Sequence, residues 1–422
     1  MADVRFTSTL PDFGLAMEGT KWSERGWTYQ EDALSPRRLF FLNSEVWFEC
    51  QEMMYREDPY SAGHNPQVLR NGCLTSREST RLRKDSSIPP GDFHRHLSAY
   101  AERSLTYKSD IYYAFSGIIN ALFPRSPASY GLPHLAFHEA ILWGVKEGRL
   151  VPRIRERDRD DDSTILPSWS WVSVFGSVED HSSSLVAPLV DWFETGTSVG
   201  ISPIIAAKTP RGWERGVLTD CFPLFLALAW SNGCFDAPSR NILPENFDFK
   251  HDKTKEELWA RWPNVESFWR ECHQDRGSKD SLLLWDCASP GVIICRAQTA
   301  FFKLKPHPEH KFCIQQGLLL DIVNENGMEI GQVGSSEFQL KSGRKMEGPD
   351  LERKFEFVAV STSTYAQWLA CDRLWHGPTR SSLEWFGNWI VEVPVVNVFL
   401  IGWREDVPTA RRMSIGWIYL KA

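Results

Sequence analysis

Two histidines and a cysteine recur at intervals of three in His307-x-x-His310-x-x-Cys313, and metal chemistry is the first use such a run suggests. Cys287 and Cys295 lie upstream, with Cys272-His273 further still, so the ligand types for a tetrahedral zinc are present. No C-x-x-C pair occurs, and Pro306 and Pro308 flank the first histidine. That favours loop histidines and a buried cysteine, and no metal is expected. His94-x-His96 falls on a helical stretch, where positions i and i+2 face apart. No G-x-S-x-G elbow is present and no cysteine has a protease-like context. Neither G-x-G-x-x-G nor a Walker A loop occurs, so dinucleotide or nucleotide binding by those routes has no support, and no cofactor is expected. The third group is Trp27, Gln30, Glu31 and Leu34, spaced i, i+3, i+4, i+7 on one helix face, with Arg25, Arg37 and Arg38 near as counter-charge. Thr28 and Glu31 also spell a T-x-x-E capping box, in which Glu31 reaches back to a backbone N–H. An ordinary salt bridge is a further role for the same carboxylate.

The elements that hold these residues can be read from pattern. Residues 22–31 read as a short helix. Arg38-Leu39-Phe40-Phe41-Leu42 and Glu45-Val46-Trp47-Phe48-Glu49-Cys50, around Asn43-Ser44, read as a hairpin. Residues 51–90 are polar and read as a surface connection. Helices are expected over 92–103, 109–122 and 133–145, the second stopped by Pro124. Pro167-Ser168-Trp169-Ser170-Trp171-Val172-Ser173-Val174 alternates polar and apolar residues, as a half-buried strand does. Beyond about 185 the chain is β-rich, with strands expected at 292–296, 318–323, 355–360 and 395–403 and a Trp-bearing helix at 254–272. The fold class is therefore α+β. Its regions are 1–50, 51–180 as a helical linker ending in a Trp-rich strand, and 181–422 as a β-rich region.

Composition narrows the function classes. A chain of 422 residues, 42% hydrophobic and 24% charged, is neither disordered nor fibrous. Its net charge of −7 gives no general attraction for nucleic acid. The basic clusters at 77–84 and 153–159 lack the interleaved aromatics of a single-strand binder, so no nucleic-acid partner is expected. The longest apolar run, residues 221–230, is about half a membrane span, so no membrane segment is expected. With no secretory leader visible and nine scattered cysteines, the expected location is intracellular and cytoplasmic. Nineteen tryptophans supply large apolar surfaces, and most are expected to be packing residues.

The run Arg25-Gly26-Trp27-Thr28-Tyr29-Gln30-Glu31, then Leu34-Ser35, Arg38 and the hairpin ending Phe48-Glu49-Cys50, resembles the closing part of the fungal heterokaryon incompatibility (HET) domain. The likeness continues in Asp110-Ile111-Tyr112-Tyr113-Ala114-Phe115-Ser116-Gly117-Ile118, in Gly131-Leu132-Pro133, in residues 140–143 and in Pro167-Ser168-Trp169-Ser170-Trp171. Residues 355–361, 397–403 and 412–417 are similar to the C-terminal strands of such proteins. The motifs are specific as a set, are scattered over most of the chain, and are weakest from about 180 to 350. Two N-terminal motifs of the family, Ala-Leu-Ser-Tyr-x-Trp-Gly and Leu-Trp-Ile-Asp-x-x-Cys-Ile-x-Gln, do not occur. The resemblance thus implies a HET protein without its N-terminal half, with 1–50 as the remnant of the HET domain.

That resemblance implies a role in self/non-self recognition and programmed cell death. HET domains are considered distant relatives of the TIR fold, some of whose members cleave NAD. In an enzyme of that kind Glu31 would be the catalytic pocket carboxylate, Arg25, Gly26, Trp27 and Gln30 its pocket wall, and NAD a substrate. The absent upstream motifs favour the other reading, a non-catalytic module that binds a protein partner; its oligomeric state is open. Phe40, Trp47 and Phe48 would then need other cover, or would form an exposed patch that lowers solubility.

Overall fold

A computed structural model describes residues 13–42, 45–50, 53–57, 69–70, 89–145, 151–153, 166–181, 185–195, 201–204, 291–306, 319–334, 353–364, 394–404 and 409–419. The Asn43-Ser44 turn, the basic cluster at 77–84, the apolar run at 221–230, the expected helix at 254–272 and the histidines at 307 and 310 lie outside them. The chain forms two compact units, Met1–Ser126 and Pro127–Ala422. Both helices and strands are present, so the fold is α+β.

The first unit opens with α1 (Phe13–Met17), α2 (Lys21–Glu24) and α3 (Gly26–Leu34). The single helix expected over 22–31 is split, because Arg25 is extended (φ −82°, ψ 139°). Two backbone bonds pin the break: Gly26 N–H donates to the Ser104 carbonyl at 2.7 Å and Ser104 N–H to the Glu24 carbonyl at 2.8 Å. Thr20 caps α2 by accepting from Ser23 N–H at 3.2 Å. A Cβ at Gly26 would lie 2.6 Å from Leu105 Cδ2, so a larger residue there would have to push the Leu105 side chain aside.

The hairpin forms as β1 (Arg37–Phe41) and β2 (Val46–Cys50), in register Arg38 opposite Glu49 and Phe40 opposite Trp47. The stretch read as a surface connection adds β3 (Met53–Arg56) and β4 (Leu69–Arg70), giving a sheet of order β1-β2-β3-β4. Then come α4 (Pro89–Ala101) and α5 (Tyr113–Leu122), close to the expected helices. One face of the sheet is buried. Phe13 lies 4.9 Å from Phe40 and 5.2 Å from Trp47, ring to ring, with Met17 and Met54 in the same cluster. Phe40 and Trp47 therefore have cover, one of the two outcomes the sequence left open, and Phe48 is half-buried. The exposed apolar side chains are on the other face, Leu39 and Phe41.

The second unit begins with a hairpin, β5 (Ala128–Ser129) and β6 (Leu132–Pro133), whose turn residues Tyr130 (φ 48°) and Gly131 (φ 81°) are both left-handed. The helix expected over 133–145 is only one turn, α6 (Phe137–Ala140), and gives way to β7 (Trp143–Val145). Residues 140–144 are buried all round, so their apolar run carries no period that separates helix from strand. Next are β8 (Val151–Pro152), β9 (Val174–Phe175) and β10 (Val178–Asp180), with β8 paired to β9 and β10 to β7. The strand expected at 167–174 is instead a turn and a short 3₁₀ segment, Trp171–Ser173. Ser170 drives this locally: its hydroxyl accepts from Val172 N–H at 3.2 Å and donates to the Tyr130 carbonyl at 2.5 Å.

After β11 (Leu185–Pro188), the strands β12 (Trp192–Thr195), β13 (Ile201–Pro203) and β14 (Ile293–Cys295) form a small sheet with β12 central. The largest feature is a closed six-stranded antiparallel barrel of β15 (Thr299–Pro306), β16 (Leu319–Val323), β17 (Glu329–Gly334), β18 (Phe355–Thr364), β19 (Pro394–Trp403) and β20 (Ala410–Tyr419). The ring runs β15-β16-β17-β20-β19-β18 and closes where β18 pairs back to β15, with Thr299 opposite Val358. Leu304, Ile322, Val333, Phe357, Leu400 and Met413, one from each strand, fill one core. Arg412 ties β20 to β7: its Nη1 donates to the Ile141 carbonyl at 2.8 Å, its Nη2 bonds the Trp143 carbonyl, and its guanidinium lies 4.2 Å over the Trp143 ring.

Candidate functional site

The face of α3 singled out by spacing exists, and it points to solvent. Trp27 is 41% exposed and Leu34 38% exposed, and Glu31 between them is exposed. No side chain among the described residues pairs with the Glu31 carboxylate. Arg25, at the start of the helix, is also exposed. The capping box does not form. Thr28 is buried and its hydroxyl donates backward, to the Arg25 carbonyl at 2.8 Å and to that of Trp22, while the cap position is Arg25, which has no side-chain cap bond. Gln30 turns toward α5, where its Oε1 accepts from Gly117 N–H at 3.3 Å. Gly26 is buried at the junction with Leu105. The structure thus brings Trp27, Glu31 and Leu34 together on one open face and uses Gly26 and Gln30 in packing.

The opposite face of α3 carries the carboxylate that spacing passed over. Asp32 is 2% exposed, and its carboxylate pairs with Arg38 Nη1. The same nitrogen donates to the Asp32 carbonyl at 2.6 Å, and Arg38 Nη2 lies 2.5 Å from Glu49 Oε2. Arg38, considered as a counter-charge for Glu31, is committed to this buried triad. The pairing was legible: a two-residue turn at 43–44 sets Arg38 opposite Glu49 by register alone. Beside it, Tyr29 OH lies 2.8 Å from His96 Nδ1, both groups fully buried, and Arg103 stacks 4.6 Å over the tyrosine ring. Burial holds the Tyr29 hydroxyl well above the usual phenol range, against the pull of Arg103 and Arg95, so it stays neutral.

A second polar cluster, in the other unit, combines Ser129, His134 and Glu194. Ser129 Oγ lies 2.7 Å from His134 Nε2 and donates to Glu194 Oε2, which is 3.7 Å from the same imidazole nitrogen. In a serine nucleophile's relay the serine and the acid occupy opposite nitrogens of the ring. Here both meet Nε2, so the hydroxyl proton is held by the carboxylate and the imidazole is not set to take it. The arrangement bonds the β5–β6 hairpin to β12. Burial lowers the His134 pKa and Glu194 partly opposes that. Cys295 on β14 sits deep enough that burial pushes its thiol up to about 12, far from a reactive thiolate. Among the described residues no three His, Cys, Asp or Glu side chains converge as a metal set, and no helix is long and apolar enough to cross a membrane.

No family model, curated protein or solved structure matches this chain. The HET resemblance stands on its motif residues alone.

Proposed function

We propose that this chain is a recognition module of the heterokaryon incompatibility type, acting in fungal self/non-self recognition linked to programmed cell death, and that it acts by binding a protein partner and not by catalysis. The motif run from Arg25 to Cys50 supports the family reading. The observation that carries the non-catalytic reading is the setting of Glu31: an exposed carboxylate between the exposed side chains of Trp27 and Leu34, on the helix face opposite the buried Asp32–Arg38–Glu49 triad. A catalytic carboxylate needs walls that exclude water and groups that fix its charge. An exposed Trp beside a Leu and a carboxylate is instead the composition of a binding epitope, with an aromatic anchor and a polar flank.

The test is expression of the chain and its variants in a filamentous fungus, with NAD turnover measured on the purified proteins. Growth arrest that is lost with Trp27→Ala but kept with Glu31→Gln, without NAD consumption above background, is the expected result. NAD consumption that vanishes in Glu31→Gln would overturn this reading and make Glu31 the catalytic carboxylate of a TIR-like hydrolase. Absence of any growth effect from the wild-type chain would remove the link to cell death.

A further inference from the structure

Strand β1 is the end strand of its sheet, and its hydrogen-bonding phase decides what that edge offers. Leu42 N–H donates to the Glu45 carbonyl at 2.9 Å, which makes 42, 40 and 38 the bonded positions toward β2. Glu57 N–H donates to the Val46 carbonyl at 2.9 Å, so Val46, opposite Phe41, faces away from β1, in agreement. The N–H and C=O groups of Arg37, Leu39 and Phe41 therefore point off the sheet, and among the described residues nothing receives them. Their side chains share the sheet face that carries no core. Leu39 is 59% exposed and Phe41 78% exposed, and Phe48, across from Leu39, continues the apolar surface toward Tyr55, ring to ring at 6.0 Å. An open edge beside an apolar face is a feature that folded proteins normally block with inward charges, proline or a bulge. Strand β1 holds neither proline nor bulge, and its inward charge, Arg38, is paired with Asp32 and Glu49.

We propose that this edge pairs with a second copy of the same chain: β1 joins β1 antiparallel about a two-fold axis at Leu39, making a continuous sheet across the two copies. The occupant follows from self-complementarity. In that register Leu39 faces Leu39 of the partner copy, and Arg37 faces Phe41 of the partner copy at both ends. The residues brought into bonded pairs are the three whose backbone groups meet no partner among the described residues. Each Arg37 guanidinium meets an aromatic ring, a favourable cation–π contact. The two Arg37 charges stay ~14 Å apart along the strand, beyond the ~8 Å screening length of physiological salt. A shift of two residues either way pairs fewer residues, and one such shift sets Arg38 directly opposite its own copy. With five residues per strand the interface is small against the ~1,200–2,000 Å² of stable complexes, so the association is concentration-dependent. The proposal does not depend on the function proposed above.

Sedimentation of the full chain over a range of concentrations tests it, with two variants that remove the same exposed ring. Phe41→Glu sets a carboxylate across from Arg37 of the partner copy, and the dimer is expected to hold at least as tightly as wild type. Phe41→Lys sets two cations face to face and is expected to weaken it at least tenfold. Phe41 is largely exposed, so neither change threatens folding. As a second readout, Leu39→Cys is expected to cross-link to its own copy under mild oxidation where wild type does not, since bonded pairs lie ~5.5 Å apart at Cα, within disulfide reach. A wild-type chain that stays monomeric at all concentrations overturns the proposal. So do equal losses in both Phe41 variants, which would mean unspecific apolar contact or a different partner, and a Leu39→Cys chain that does not cross-link.

Discussion

Glu31 and Asp32 are neighbours with opposite fates, and the difference lies in 100° of helix rotation. Glu31 faces water beside Trp27, while Asp32 is buried and paired through Arg38 to Glu49. Removing Arg38 leaves two carboxylates without their cation in the interior. Arg38→Met is expected to cost about 3–5 kcal/mol of stability, against under ~0.5 kcal/mol for Glu31→Gln at an exposed site; denaturant unfolding of the two variants measures the contrast. His134 gives a pH dependence whose sign is fixed by burial. The native state holds the imidazole proton less readily than the unfolded chain, whose value is about 6.5. Below pH ~6.5 the unfolded state therefore binds more protons, and stability falls as pH falls until the lower native pKa is passed. Thermal melting from pH 7.5 to 5 is expected to show a decline that is smaller in His134→Gln than in wild type. A decline of equal size in both would assign it to other groups.

Three of the six barrel strands were legible from pattern, and their closure was not. Expected strands at 318–323, 355–360 and 395–403 correspond to β16, β18 and β19, because their alternation and β-branched content are strong local signals. Closure depends on register shifts, between Ile322 and Val323, Ala359 and Ser361, and Leu400 and Ile401, which bend strands without any marker in composition. The helix face at 27–34 was found by its period, but period alone does not say which face is buried when Thr28, Tyr29, Asp32 and Ala33 form the inner one. The Trp-rich segment at 167–174 misled because its alternation comes from indoles bonding carbonyls, Trp169 to Gly291 at 2.8 Å and Trp171 to Gly131 at 3.1 Å, and not from a sheet. Two glycines mark the barrel's tightest seam. A Cβ at Gly331 would lie 2.0 Å from the Trp417 carbonyl oxygen, and one at Gly416 2.2 Å from that of Gln332. Backbone cannot swing aside as a side chain can. Gly331→Ala is expected to destabilise the barrel by about 1–3 kcal/mol or more. Gly402→Ala, whose nearest neighbours are flexible Met413 atoms at 3.3 Å, should cost less; equilibrium unfolding of both decides it.

The chain's two compact units meet in sequence at Ser126 and Pro127, and each has a core of its own. In the first, Phe13, Met17, Phe40, Trp47 and Met54 pack between helices and one sheet face; in the second, all six barrel strands contribute to one cluster. Compact units that each have a core of their own are able to unfold separately. Denaturant unfolding is therefore expected in two steps. Tryptophans are buried in both units, Trp47 in the first and Trp143, Trp171 and Trp417 in the second, so fluorescence reports each step. The variants assign them. Arg38→Met acts on the first unit's buried charges and should move only one step to lower denaturant. Gly331→Ala acts on the β17–β20 seam and should move only the other. A single transition shifted by both variants would instead mean that the units unfold as one, coupled by more free energy than either core loses in its own variant.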